Sequence, residues 1–143
     1  MSEYSFVAAT YDLFLTPFLS GMRRQIVSAV DSIQPDRIID LCCGTGHQLK
    51  LLKKHGYTNV SGVDLSFDML AIAAKGRDSP DCYERDAADT HFNDSTFDLA
   101  MVSLALHEKT REKALSVIDE AYRILKPEGS LLVSDFTADG NAR

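Results

Sequence analysis

The sequence predicts an α/β fold, a doubly wound and mainly parallel sheet covered by helices on both faces. Strand-like runs alternate with helix-like runs along the chain, which is the pattern of parallel strands joined by crossover helices. Residues 97–106 form an almost unbroken apolar run, as expected for a central strand buried on both faces. Residues 38–46 read as a buried strand that runs into a glycine turn and opens a helix.

Composition and charge narrow the function classes. The 143 residues predict one domain with a normal core, since 45% are apolar and 25% are charged. The net charge is −6 and the lysines cluster only at 50–54, so the chain lacks the basic footprint of a nucleic-acid-binding protein. No apolar run reaches the length of a membrane span and the N-terminus lacks a secretory pattern, so we expect a cytoplasmic protein without a membrane span.

The first half of the chain predicts three helices and two strands. Helices are expected over residues 4–15, 18–33 and 46–55, and strands over 37–41 and 59–64. Pro35 ends the second helix and Gly56 the third. The second helix carries an apolar stripe at helical spacing: Leu19, Met22, Ile26, Val30 and Ile33.

The second half predicts two helices and three strands. Ser66 is a candidate N-cap for a helix that carries Met69, Leu70 and Ala73. Strands follow over residues 82–85 and 97–106. A long amphipathic helix then leads to a break at 126–129 and a last strand over 130–136, its stripe consisting of Ala114, Ile118, Ala121 and Leu125.

The glycine turn predicts a nucleoside-binding crevice. Gly44 and Gly46 follow the first strand, and Asp64 closes the second strand twenty residues after Gly44. Glycine lets the backbone approach a ligand closely, and a carboxylate at the next strand's end can accept hydrogen bonds from both ribose hydroxyls. The alternative is an ordinary strand–turn–helix without a ligand; the position of Asp64 favours binding.

The cysteines predict neither a metal site nor a disulfide. Cys42 and Cys43 are adjacent and point to opposite faces of a strand, and no histidine or cysteine lies at metal-ligand spacing from them. A reactive thiol is one interpretation, but small core residues at a strand end are favoured, and Cys82 is interpreted in the same way.

Five motifs occur in an order that resembles the class I S-adenosylmethionine-dependent methyltransferases. They span residues 4–136, nearly the whole chain, and the paired cysteines with the early Tyr11-Asp12 look closest to the ubiquinone/menaquinone-biosynthesis type. The motifs are Asp40-x-x-x-Gly44-x-Gly46, Val63-Asp64-Leu65-Ser66, Asp86-Ala87, Phe97-Asp98 and Leu125-Lys126-Pro127-Glu128-Gly129. The resemblance implies strand order 3-2-1-4-5 and transfer of a methyl group to a small molecule.

The resemblance also implies a cofactor site for S-adenosylmethionine. Asp64 would take the ribose hydroxyls, Asp86 the adenine amino group and Asp40 the methionine amino group. Asp89 is the alternative to Asp86, which is favoured because Ala87 follows it. The remaining implied contacts are Leu41, Cys42, Gly44, Thr45 and Gly46 along the methionine part, Leu65, Met69 and Ala87 around adenine, Ser103 near the methionine end, and Tyr11 as a cover.

No catalytic residue is assigned from the sequence. His107 follows the apolar strand at its carboxyl end, where ligands of such sheets bind, so it is a candidate to face the substrate or deprotonate it. A solvent-exposed histidine beside Glu108 is the equal alternative.

Members of this family usually continue with a further helix and an antiparallel pair after the fifth strand. The chain ends at Arg143, so it is expected to be a fragment or a short natural form, and turnover is less secure than cofactor binding. The apolar strand over residues 130–136 would lie at a sheet edge, which predicts a homodimer through that strand.

Two other functions stay open. One is a non-catalytic module that binds cofactor or a partner. The other is a nicotinamide-dependent oxidoreductase, which is disfavoured because the turn lacks a third glycine.

Overall fold

The computed structural model describes residues 19–135, which fold around a five-stranded, wholly parallel sheet. The strand order is β3-β2-β1-β4-β5, which confirms the predicted topology. The strands are β1 (Ile38–Leu41), β2 (Val60–Asp64), β3 (Asp81–Glu84), β4 (Phe97–Ser103) and β5 (Leu125–Ser134). The helix predicted over residues 4–15 and the end of the last predicted strand lie outside the described residues.

The helices cover both faces of the sheet. They are α1 (residues 19–33), α2 (His47–Lys54), α3 (Phe67–Ala73) and α4 (Arg111–Ile124), with a single 3₁₀ turn over Leu106–Glu108. None of the helices in the described part of the chain is long and apolar enough to cross a membrane.

Two apolar cores lie on opposite faces of the central strands. Alternate side chains of β4 point to opposite faces, as the pleat of a strand requires. Ala100 and Val102 pack with α4, and Leu99 and Met101 pack with α1 and α2. Every residue of β1 is buried, so the pair at the centre of the sheet is covered on both sides.

The helix boundaries have local causes. Ser66 caps α3, as predicted, because its Oγ accepts a hydrogen bond from the Met69 amide at 3.3 Å. Thr110 caps α4 in the same way through the Lys113 amide at 3.2 Å. Gln34 ends α1 in a left-handed conformation with φ 54°, so the helix stops before Pro35.

Three element predictions require correction. The apolar strand ends at Ser103 rather than residue 106, because Leu104 turns the chain with φ 53°. The last strand begins at Leu125 rather than residue 130, and its pairing with β4 shifts register over the predicted break. The buried face of α4 is formed by Val117, Glu120, Ala121 and Ile124, so the predicted stripe of Ala114, Ile118, Ala121 and Leu125 is displaced.

A buried carboxylate fixes the loop before β4 to α4. Glu120 Oε1 accepts hydrogen bonds from the Thr90 amide at 2.9 Å and the Thr90 hydroxyl at 2.6 Å. Arg123 pairs with the same carboxylate at 2.7 Å. The Arg123 guanidinium, helped by the two donors of Thr90, lowers the pKa of Glu120 to about 2 against the opposing effect of burial.

Candidate functional site

A cavity of about 330 Å³ opens at the carboxyl ends of β1, β2 and β4, where ligands of open α/β sheets bind. Ten predicted site residues line it: Asp40, Cys42, Gly44, Thr45, Asp64, Leu65, Met69, Asp86, Ala87 and Ser103. The order of the strands brings these residues together, because the ends of β1, β2 and β4 are adjacent and α3 follows β2 directly.

The turn between β1 and α2 uses left-handed backbone at Cys42, Gly44 and Gly46, with φ of 68°, 57° and 73°. A side chain at Gly44 would meet Met69 Sδ at 3.5 Å, which is an ordinary contact. A side chain at Gly46 would approach the Ala73 Cβ to 2.9 Å. Gly44 therefore leaves space at the cavity wall, whereas Gly46 permits close packing of α2 against α3.

Asp64 holds the turn in place. Its Oδ2 accepts a hydrogen bond from the Gly44 amide at 2.9 Å, and its Oδ1 accepts one from the Ser66 amide at 2.8 Å. Each carboxylate oxygen has a second lone pair for a further donor. The residue predicted to bind ribose is thus also a structural link between the two strand ends.

Asp86 is oriented by α4. Its Oδ2 pairs with Lys113 Nζ, and its Oδ1 accepts from the Ala88 amide at 2.8 Å. The lysine and then the amide hold the pKa of this carboxyl below its usual range. Asp89, the alternative, is 72% exposed and does not line the cavity.

Asp40 is a buried acid at the base of the cavity. Its side chain is 3% exposed, and Oδ1 has no hydrogen-bond partner among the described residues. Burial, reinforced by the nearby Cys82 and Asp64, raises the pKa of this carboxyl well above its usual range. A cation or hydrogen-bond donor in the cavity would satisfy the orphan oxygen.

Neither Cys42 nor Cys43 is set up as a nucleophile. Burial raises the pKa of Cys42 to about 11, so this cavity-lining thiol stays protonated at neutral pH. Cys43 is buried with its Sγ 3.8 Å from that of Cys82, and burial together with its S–H bond to Cys82 raises the pKa of Cys43. No group of His, Cys, Asp and Glu within residues 19–135 is arranged to hold a metal ion.

Four predicted residues do not contribute a wall to the cavity. The Leu41 side chain is fully buried in the core against α4, so only its backbone is left for the contact that the resemblance implies. Gly46 is buried beside Ala73. Tyr11 lies outside the described residues. His107 is not among the residues that line the cavity, and its Nδ1 contacts Asp135 Oδ1.

The cavity also has polar walls that the sequence interpretation missed. They are Arg23, Gln48, Arg85, Glu108 and Lys109. Arg23 is only 9% exposed, although it lies on a helix that was interpreted as amphipathic. Its position four residues after Leu19 and three before Ile26 was the available signal, since that spacing places it on the buried side of α1.

Comparison with known proteins gives one family match and several relatives. The model of the family described as "Methyltransferase domain" matches residues 39–133. The Ubiquinone/menaquinone biosynthesis C-methyltransferase UbiE of Roseobacter denitrificans is 32% identical over 94% of this chain and 57% of its own length. The demethylmenaquinone methyltransferase of Thermotoga maritima is 28% identical over 100% of this chain and 64% of its own length.

A solved structure shares the fold. The S-adenosylmethionine dependent methyltransferase from Mesorhizobium loti aligns with a TM-score of 0.60 at 31% identity, over 74% of this chain and 51% of that one. The chain therefore spans roughly half to two-thirds of the length of the proteins to which it is similar.

Proposed function

Because the chain belongs to the methyltransferase domain family, we propose that it binds S-adenosylmethionine and transfers the methyl group to a small molecule. The observation that carries the proposal is the set of three aspartates, Asp40, Asp64 and Asp86, around one cavity beside a left-handed glycine turn. Three acceptors of fixed position suit a ligand that presents an ammonium, two vicinal hydroxyls and an aromatic amine.

The nucleoside end is matched by residues on β2, α3 and the loop after β3. Asp64 retains lone pairs for the ribose hydroxyls, and Asp86 for the adenine amino group. Leu65 is 63% exposed at the cavity, and its apolar side chain suits the face of a flat ring. Met69 and Ala87 complete an apolar slot of the kind that adenine occupies.

The amino-acid end is matched by opposite charges. Asp40 offers its orphan oxygen to the ammonium, which would also return this carboxyl to its charged form. Arg23 brings a guanidinium to the same cavity, and guanidinium is the group best suited to a carboxylate. Thr45 and Ser103 also line the cavity and supply hydroxyl groups to its wall.

When bound, the cofactor supplies a methyl group activated by a sulfonium centre. The chain's own contribution is to hold that centre, to align the acceptor beside it and to exclude water. The cavity wall formed by Ser103, Leu104 and Ala105 is suited to the acceptor side, because it lies at the end of β4 and away from Asp64.

The acceptor is proposed to be a small aromatic molecule. The named relatives act in quinone biosynthesis, and the net charge of −6 opposes a nucleic-acid substrate. A cytoplasmic location is proposed with it.

Calorimetry with S-adenosylmethionine, S-adenosylhomocysteine and NAD tests cofactor choice. We expect saturable binding of the first two and none of NAD; binding of NAD alone would refute the proposal. Release of S-adenosylhomocysteine over a panel of phenols, quinols and amines then tests turnover. Binding without release for any acceptor would favour the non-catalytic module over the enzyme.

A further inference from the structure

The segment 104–109 joins β4 to α4 and is fixed to the end of β5. The Leu104 amide donates to the Ser134 carbonyl oxygen at 2.7 Å. His107 lies in the 3₁₀ turn at the middle of the segment, and Asp135 follows β5 directly. The two side chains meet where the carboxyl ends of the two strands lie side by side.

Asp135 holds His107 through two contacts. One carboxylate oxygen accepts from the His107 amide at 3.1 Å, and the other lies 2.5 Å from the ring Nδ1. A carboxylate at Nδ1 requires the proton to be on that nitrogen, which leaves the lone pair on Nε2. Asp135 is 13% exposed and His107 is 35% exposed, so the carboxylate is shielded while the ring is still accessible.

The chain on both sides of His107 lines the cavity. Ser103, Leu104 and Ala105 line the cavity before it in the chain, and Glu108 and Lys109 line it after. The charged groups recorded against the imidazole are Asp135 at Nδ1 and Glu108, whose Oε1 is 3.7 Å from Nε2.

Resting on the proposed function, the geometry points to His107 as the general base for an acceptor with an acidic hydroxyl, a phenol or an enol, and to Asp135 as its positioning residue. The hydroxyl proton moves to Nε2, and its electron pair stays on the acceptor. That pair forms the new bond to the methyl carbon from oxygen or a conjugated carbon, as the carbon–sulfur bond breaks and its electrons remain on sulfur. The imidazolium returns its proton to water.

Such a base assists methylation when the acceptor carries a hydroxyl group. A neutral phenol is a weak nucleophile and its anion a strong one, whereas an amine is already nucleophilic when neutral. A positioned base contributes roughly 10²–10⁴-fold to rate. The need for that base falls as the phenol becomes acidic enough to ionise in solution, and this dependence separates a base from a merely structural histidine.

The test compares His107→Asn, Asp135→Asn and His91→Asn in the full chain over phenols of graded acidity. Asparagine at position 107 keeps a donor for Asp135 and removes the base. His91→Asn is the matched control, since His91 also lies near an aspartate, Asp89 at 3.7 Å, but is 70% exposed, and neither it nor its chain neighbours line the cavity. Asparagine also tolerates its φ of 61°.

We expect His107→Asn to lose roughly 10²–10⁴-fold of kcat with weakly acidic phenols, and to approach wild type with nitrophenols that are already ionised. Asp135→Asn should give a smaller loss with the same trend, and His91→Asn none. A loss that is uniform across the panel would overturn the assignment of the base. S-adenosylhomocysteine affinity should be unchanged in all three variants.

A readout independent of turnover is the ¹⁵N NMR spectrum of the His107 ring. The Nδ1–H tautomer should dominate in the wild type, and Asp135→Asn should mix the tautomers. An Nε2–H tautomer in the wild type would overturn the inference. Wild type that binds cofactor but methylates no phenol or enol would overturn the inference and leave the proposed function standing; wild type that binds no cofactor would overturn the proposed function.

Discussion

Replacing Asp64 with asparagine should lower both ligand affinity and stability, because the same carboxylate holds the glycine turn and is proposed to bind the ribose. The side chain accepts from two backbone amides, and asparagine presents an NH₂ to one of them. Hydrogen bonds to a charged group contribute roughly 1.5–3 kcal/mol, so the melting temperature should fall by roughly 5–12 °C for a domain of this size. Affinity for S-adenosylhomocysteine should fall by roughly 5- to 150-fold, the equivalent of about 1–3 kcal/mol.

Asp98→Asn separates the two effects. Asp98 also accepts a backbone amide, that of Arg37 at 2.8 Å, and pairs with Lys126 at 3.0 Å, but it does not line the cavity. This variant should lower the melting temperature and leave affinity unchanged. Calorimetric titration and thermal unfolding of both variants give the comparison. Affinity of Asp64→Asn within two-fold of wild type would refute the ribose assignment, whatever happens to its stability.

Three further predictions concern stability and assembly. Glu120 has a pKa depressed from 4.5 to about 2, so its carboxylate stabilises the fold by up to about 3 kcal/mol above pH 4.5, and this contribution is lost as the pH falls toward 2. In Glu120→Gln the free energy of unfolding should therefore depend less on pH between 4.5 and 2. A pH dependence equal to that of the wild type would contradict the prediction. Gly62→Ala places a Cβ 2.7 Å from Cys43 Cβ and Sγ. The free energy of unfolding of this variant, measured in urea, should therefore be lower than that of the wild type by roughly 1–3 kcal/mol. Equal stability would show that the turn adapts. Among the described residues β5 pairs with β4 alone, and Val133 on it is 45% exposed. The chain should therefore self-associate, as measured by sedimentation, and Val133→Lys should abolish the association. A wild-type monomer at high concentration would exclude it.

The parts of the fold that the sequence predicted correctly depend on local signals. The glycine turn, the cap at Ser66 and the buried run of β4 each require particular residues at fixed spacing. The cavity followed from them, because the ends of adjacent parallel strands meet at one edge. Asp64 was assigned for this reason, whereas Asp40 and Asp86 were implied by the resemblance to methyltransferases; all three line the cavity.

The displaced stripe of α4 shows where local signals stop. Ala114, Ile118 and Ala121 are apolar at helical spacing, and so are Val117, Ala121 and Ile124. Both stripes contain Ala121, so periodicity alone does not choose between them. The choice comes from Glu120, which turns inward to accept both donors of Thr90, and nothing in the sequence marks that distant pairing.

Arg23 and Asp135 illustrate the same limit within the site. A charged residue on an amphipathic helix is normally assigned to solvent; helical spacing shows only that Arg23 shares the apolar side of α1, and the cavity beside it is a feature of the tertiary structure. Asp135 is meaningful only through His107, twenty-eight residues earlier in the chain. Partners of this kind are defined by tertiary structure and have no spacing to recognise.

The segment 104–109 gives the fold a modular character. Its attachments run to the end of β5, through Leu104 and His107. The glycine turn is attached instead through Asp64 and β2. Under the proposed function, a hexapeptide exchanged between homologues at this place should change the choice of acceptor and leave the turn held by Asp64 in its original register. Proteins with this fold can change their substrate by changing this one connection. A library randomised at these six positions is the corresponding route for directed evolution.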